Sequence, residues 1–436
     1  MVSEQLLLPA ADFVGGSPLT RDLADVLEIG PHRNYNKPRS PRGVRRNVRV
    51  ALYSHDTMGI GHMRRNLLIA ETLMRSRSVG GGLIVAGARE AAALIMPAGV
   101  DCLTLPAFKK HRDGGYRPRS LSLPLEALVC LRARTIRAAI EAYQPDVFIV
   151  DKVPRGLGGE LEPTLESLRR HGRTRCVLGL RDVLDSPSQV RAEWHQEASD
   201  EAVEKYYDSV WVYGDQAVCD PVREYGFSAD TAAKIRYTGY FDQRMRRRMG
   251  LQPEDSPANA GLPPGPFSLC MVGGGQDGAA LAQAFARAAL TSGLNSVLVT
   301  GPCMPAPIRQ RLQRLAAGAP QLRVLEFVAE PAPLLAAADR VIAMGGYNTV
   351  TEILSFGKRA LIVPRTVPRE EQLIRAERLR DLGLIDMLHP DQLTSEAITR
   401  WLTRRFEPLP PARERIDFHG LTRLPEFLAA LVRTRG

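Results

Sequence analysis

Met344-Gly345-Gly346-Tyr347-Asn348-Thr349-Val350-Thr351-Glu352 is the stretch on which the fold turns. It follows a short apolar run, Arg340-Val341-Ile342-Ala343, and precedes a helical segment read from Val350 to Phe356 and stopped by Gly357. A second apolar run, Ala360-Leu361-Ile362-Val363-Pro364, comes next. Strand, glycine turn, helix and strand in that order make one α/β unit. At such a junction the first backbone N–H groups of the helix point outward at its positive end, a place for a phosphate, and glycines let a ligand come close. A plainer reading stands beside this one. Thr349-Val350-Thr351-Glu352 is also a capping box, in which Thr349 caps the helix and Glu352 reaches back.

The same alternation extends in both directions. Val48–Tyr53, Gly82–Ala86, Pro145–Asp151, Cys176–Leu180 and Val210–Tyr213 read as strands, with helices over Leu67–Met74 and about Pro124–Tyr143. After a Pro- and Arg-rich break the alternation restarts at Phe267–Val272, with further strands at Ser296–Thr300 and Val324–Val328. Apolar runs of this length between helices predict parallel sheets covered on both faces. The expected layout is two doubly wound Rossmann-like domains with a cleft between them. Its parts are a mobile basic tail over 1–45 with room for one short helix near Leu19–Ile29, a first domain over 46–243 and a linker over 244–265. A second domain over 266–410 and a closing tail over 411–436 follow; its helix, Pro425–Val432, returns to the first domain.

Composition narrows the function classes. A chain of 436 residues exceeds one ordinary core. No run of about 18 apolar residues is present and the N-terminus lacks a signal-peptide pattern, which predicts a cytoplasmic protein. The six cysteines form no C-x-x-C pair, so neither zinc nor disulfides are expected. The net charge is +10, but much of the excess is local: Arg33 to Arg49 holds seven Lys/Arg and no acid. The basic clusters are not interleaved with aromatic residues, so nucleic acid is not the expected partner. The basic surface is compatible with peripheral association at the inner face of a membrane.

Each domain carries a glycine turn after its first strand: Asp56-Thr57-Met58-Gly59-Ile60-Gly61-His62 and Gly273-Gly274-Gly275-Gln276-Asp277-Gly278. Neither is a complete dinucleotide fingerprint or a Walker loop. With Gly345-Gly346 they make three glycine turns at three strand ends, which points to phosphate or nucleotide binding. His62 would open a helix, where the positive end keeps the imidazole neutral and suited to general-base work. Asp151 and Asp182 end strands in the same domain. Either could act as the base or orient His62, or be a turn carboxylate. Arg64 and Arg65 could face the cleft, but a solvated face is the expectation.

At residues 340–380 the chain resembles family 28 glycosyltransferases, the group that includes the peptidoglycan N-acetylglucosaminyltransferase. The matching pattern is Gly345-Gly346, Asn348-Thr349, Glu352, Gly357, Val363-Pro364, then Glu371-Gln372 and Ala376-Glu377-Arg378-Leu379. The turn Gly59-Ile60-Gly61-His62 resembles that family's first glycine loop without its full Gly-Gly-x-Gly-Gly-His form. The tract Ile149–Leu157 looks like a bacterial branch of predicted glycosyltransferases. The resemblance implies a GT-B fold and a nucleotide-diphosphate sugar donor, UDP-linked, held by the second domain. It implies Glu352 on the ribose, the Gly274-Gly275-Gln276 turn and Asn348-Thr349 at the diphosphate, and Glu371 and Gln372 at the sugar. Either His62 or a carboxylate would take the acceptor proton, and neither metal nor other cofactor is implied. The acceptor could be lipid-linked, a polysaccharide or a small metabolite. The turn Met58–Arg65 also resembles a UDP-sugar hydrolase of pseudaminic acid synthesis, in which water replaces the acceptor. A nucleotide-sugar-binding protein without turnover is the third alternative.

Overall fold

The computed structural model describes residues 47–54, 61–87, 91, 94–110, 115–248, 265–328, 330–407 and 410–433. The tail and its helix, Gly59 and most of the linker lie outside the described residues.

The first sheet contains β1 (Val48–Ser54), β2 (Val79–Ala86) and β3 (Val100–Thr104). A separate hairpin of β4 (Phe108–Lys110) and β5 (Tyr116–Pro118) intervenes. The sheet continues with β6 (Val147–Asp151), β7 (Arg175–Arg181), β8 (Ser209–Tyr213) and β9 (Ile235–Tyr237). Its spatial order is β3-β2-β1-β6-β7-β8-β9, and every pairing is parallel. The second sheet holds β10 (Phe267–Met271), β11 (Asn295–Val299), β12 (Leu322–Leu325), β13 (Arg340–Ala343), β14 (Arg359–Ile362) and β15 (Asp386–Met387). Its order is β12-β11-β10-β13-β14-β15, again parallel.

Sequence chemistry explains the layering. β6, β8 and β10 are buried along their whole length, as strands covered on both faces must be. Hence each carries an unbroken apolar stretch, Val147–Val150 in β6, Val210–Tyr213 in β8 and Leu269–Met271 in β10. The strand order reverses between β1 and β6 in one sheet and between β10 and β13 in the other. Those two switch points open crevices at the carboxyl ends of the strands, where such sheets bind ligands. The glycine turns follow β1, β10 and β13, so all three fall at the switch points.

The chain passes between the domains twice, and the two passages are paired. Phe241 and His419 form an antiparallel bridge. Tyr240 N–H donates to the Asp417 carbonyl at 2.8 Å, and Gly420 N–H to the Tyr240 carbonyl at 3.1 Å. The last helix, Gly420–Arg433, lays Phe427 against Trp211 of β8, ring centroids 5.9 Å apart. Among the described residues no helix is long and apolar enough to cross a membrane.

Candidate active site

The first-domain half grows from β1 and β6, which are neighbours. The helix Gly61–Met74 begins six residues before the expected start at Leu67, with Gly61 and His62 as its first two residues. Gly61 is where the two domains touch. The Asn348 side-chain amide donates to its carbonyl at 3.0 Å, and a Cβ on Gly61 would lie 2.8 Å from that same nitrogen. A larger residue here would displace the Asn348 amide and cost this hydrogen bond.

His62 Nδ1 lies 2.6 Å from Asp151 Oδ2. Arg65 Nη2 also lies 3.0 Å from Nδ1 but donates at 2.6 and 2.7 Å to Asp151; since the ionised carboxylate only accepts, the shorter contact assigns the proton to Nδ1 and leaves Nε2 its lone pair. Burial drives the His62 pKa down to about 4 against the upward pull of Asp151, with Arg65 and Lys152 pushing in the same direction as burial. The ring is therefore neutral at physiological pH. Burial alone would raise Asp151, but Arg65 and His62 overcome it and hold the carboxyl well below the usual range. Arg65 is not on a solvated face. It is 4% exposed and grips both Asp151 oxygens at 2.6 and 2.7 Å. It also lies 5.6 and 5.5 Å from the ring centroids of Tyr213 and Tyr347. The reason is helical spacing: Arg65 is three residues beyond His62, so both side chains meet the end of β6.

In the second-domain half, the helix after β13 spans Tyr347–Ser355, three residues earlier than the expected start at Val350. Its cap is Gly346, with no side-chain cap hydrogen bond. Thr349 is the third residue inside the helix, so the expected capping box does not form. The cap position leaves the positive end of the helix without a side chain across it. Tyr347 is buried and donates to the Tyr213 carbonyl of β8 at 2.8 Å, pinning the helix start to the first domain. Thr349 is half-buried one residue beyond Asn348, while Glu352 lies in the second turn, 5% exposed.

The turn after β10 exposes Gly273, Gly274 and Gln276. Gly275 has φ 88°, and a Cβ there would lie 2.1 Å from the Thr300 carbonyl, so only glycine fits. Arg365 ties this turn to the next element. It reaches Asp277 at 3.1 Å and Glu371 Oε1 at 2.6 Å, while its N–H donates to Gln372 Oε1 at 3.1 Å. Gly345 packs on Gln372, since a Cβ on it would lie 2.9 Å from the Gln372 carbonyl. Glu371 Oε2 is buried without a hydrogen-bond partner.

Asp182 takes a different place from Asp151. It follows β7, is fully buried, and receives Arg375 at 2.6 and 2.9 Å and the Tyr240 hydroxyl at 2.7 Å. Arg375, from the helix Glu371–Asp381, also donates to the Gly345 carbonyl at 3.0 Å. Asp182 is thus a strut between domains, and Asp151 is the carboxylate on His62. Sequence reading missed Arg65, Arg375 and Tyr347 as members of this assembly. Only Arg65 left a trace, its helical spacing from His62.

Two doubly wound domains meeting with their switch points face to face define a GT-B fold. Solved structures share it: Acinetobacter baumannii MurG at TM-score 0.51 and 15% identity, covering 89% of this chain and 99% of that one. A putative UDP-N-acetylglucosamine 2-epimerase from Listeria monocytogenes aligns at TM-score 0.62 and 12% identity, over 89% of this chain and 96% of that one. Residues 268–415 match the glycosyltransferase family 28 C-terminal domain, and the whole described chain has the GT-B fold. Among curated relatives, the UDP-N-acetylglucosamine–N-acetylmuramyl-(pentapeptide) pyrophosphoryl-undecaprenol N-acetylglucosamine transferase of Klebsiella pneumoniae is 31% identical over 140 residues. That match takes in 32% of this chain and 39% of the relative's length, so the chain spans about two fifths of the relative.

Proposed function

We propose that the protein is a glycosyltransferase that moves a hexosyl group from a nucleotide-diphosphate sugar, UDP-linked, to an acceptor hydroxyl without a metal. The observation that carries this is the His62–Asp151 pair set against the uncapped start of the Tyr347 helix, the two joined by the Asn348–Gly61 hydrogen bond.

In this reading the diphosphate lies between the exposed Gly273-Gly274 turn and the helix start after Gly346. N–H groups and the helix dipole there stabilise the negative charge that grows on the leaving group. Glu352 takes the ribose hydroxyls. Glu371 Oε2, buried and without a partner, accepts from a hydroxyl of the donor sugar, and Gln372 lines the same wall. Nε2 of His62 removes the acceptor proton as the hydroxyl oxygen attacks the anomeric carbon. Asp151 holds the ring in the required tautomer and stabilises the imidazolium that forms. Similarity to the UDP-N-acetylglucosamine transferase of Klebsiella pneumoniae supports a UDP-sugar as the donor class, and a lipid-linked acceptor is one of the acceptor classes that fits.

A panel of nucleotide sugars tests it, scored by thermal stabilisation and by release of nucleoside diphosphate, for wild type and Glu352→Ala. Stabilisation by one UDP-sugar, weakened tenfold or more in the variant, is the expected result. UDP release with a free sugar and no acceptor dependence would make the protein a hydrolase instead. No stabilisation by any nucleotide sugar would overturn the reading.

A further inference from the structure

We infer that Lys152 and Arg181 form an anion-binding subsite beside the His62–Asp151 pair, which receives a phosphate or carboxylate carried by the acceptor. The inference rests on the glycosyltransferase reading and adds to it the chemical class of the acceptor.

Charge pairing along the cleft leads to this assignment. Asp151 is held by Arg65, Asp182 by Arg375, and Glu371 by Arg365. Asp185 and Glu193 are both held by Arg369, at 3.1 and 2.6 Å. Every one of these carboxylates already serves an arginine. Two cations at the same strand ends are left over. Lys152 follows β6 and Arg181 ends the neighbouring β7. Among the described residues neither side chain has a carboxylate within ion-pair distance, and Arg181 Nε is buried without any partner.

Leaving two half-buried cations unpaired is costly, since buried charges are ordinarily matched. The fold nevertheless concentrates them. Arg181 is the strongest charge acting on Lys152, with Arg369 next, while Asp151 and Glu371 act on it only from a distance. Arg181 in turn feels Arg375 most, then the Glu371 carboxylate, then Arg65 and Asp182, and burial with the two arginines leaves it lowered. Burial and these neighbours bring the Lys152 ammonium down to about 8. The backbone is strained at the same spot. Lys152 has φ 73° in a three-residue turn closed by Val153 N–H on the Asp151 carbonyl at 3.0 Å. This is the rarer hand of such a turn, and non-glycine residues held in it cluster at functional sites.

An incoming anion supplies what is missing. Its oxygens accept from the Lys152 ammonium and from the Arg181 guanidinium, and its charge offsets both. The acceptor carries it, because both residues belong to the first domain and flank the base. The open helix start and the glycine turn that suit the donor diphosphate belong to the second. A group fixed here would set the attacking hydroxyl against His62.

Sulfate is the probe, because its charge is constant across the working pH range. UDP affinity of the full chain is measured first. Sulfate is then titrated at constant ionic strength with UDP saturating, so that the donor site is filled. For Lys152→Met and Arg181→Met the expected result is sulfate binding at least tenfold weaker, with UDP affinity unchanged within twofold. Lys152→Arg and Arg181→Lys keep sulfate affinity within about threefold, which separates a charge requirement from damage to the fold. Sulfate binding equal to wild type in both methionine variants would overturn the subsite. UDP affinity falling in step with sulfate would assign these residues to the donor diphosphate and overturn the acceptor assignment. A wild type that binds sulfate through this pair but never UDP would sink the donor-site reading while leaving the anion subsite standing.

Discussion

Replacing Arg375 with methionine tests the strut that joins the domains. Arg375 is 1% exposed and Asp182 fully buried, and two hydrogen bonds of 2.6 and 2.9 Å link them. Methionine keeps most of the side-chain bulk but leaves the Asp182 charge buried with only the Tyr240 hydroxyl as a side-chain partner. Removing one member of a buried pair costs about 3–5 kcal/mol. At a urea slope of about 3 kcal/mol per M, the unfolding midpoint falls by about 1–1.7 M. The sign with pH can be worked out. In the native protein burial pushes Asp182 up, but Arg375 wins and holds it low, so its contribution is present above the unfolded carboxyl value and lost in acid. Without Arg375 only burial's upward push and weaker partners remain, and the folded value rises. The deficit of Arg375→Met then grows as pH climbs from about 4 toward 7. Asp182→Leu combined with Arg375→Met removes both charges and recovers at least about 2 kcal/mol relative to the sum of the single variants. A single-variant cost under about 1 kcal/mol that does not change with pH would refute the argument.

His62→Ala lowers kcat by about 10²–10⁴-fold while leaving nucleotide-sugar affinity within a few fold, read by initial rates and calorimetry. In the wild type, kcat/KM falls as pH drops through about 4, where protonation of His62 removes the base. Asp151→Asn costs stability as well as rate, because Arg65 loses its buried partner. Gly275→Ala forces φ 88° on an alanine and drives its Cβ into the Thr300 carbonyl. It lowers stability by about 2–4 kcal/mol and weakens donor binding more than tenfold, measured by scanning calorimetry and titration.

The architecture was legible because it rests on buried parallel strands, and those write themselves as apolar runs. β6, β8, β10 and β13 sit within a residue or two of their expected places. The strands that went unread lie at sheet edges or are very short. β3 reads Val-Asp-Cys-Leu-Thr, β9 has three residues and β15 only two. Helix starts were misplaced for a physical reason. Gly346 caps its helix without a side chain, and the residue before Gly61 in the sequence is an isoleucine, so the usual Ser/Thr/Asp signal is absent or, at Thr349, misleading. Asp151 and Asp182 looked equivalent, each a carboxylate at a strand end. What separates them is which arginine arrives from elsewhere: Arg65 from the first domain, Arg375 from the second, 193 residues away in sequence. Long-range pairing of that kind has no local pattern. The unpaired status of Lys152 and Arg181 is equally invisible until every other charge has been assigned a partner.

The bridge between Phe241 and His419 has a mechanical consequence. Two connections between bodies, if well separated, would fix them rigidly; a single one would let them swivel in any direction. Here the outgoing and returning segments are bonded side by side, so they act as one narrow axle. Relative movement of the halves is thereby reduced to a swing about that line. A swing about it would have to break the grip of Arg375 on Asp182 together with the Asn348–Gly61 and Tyr347–Tyr213 hydrogen bonds.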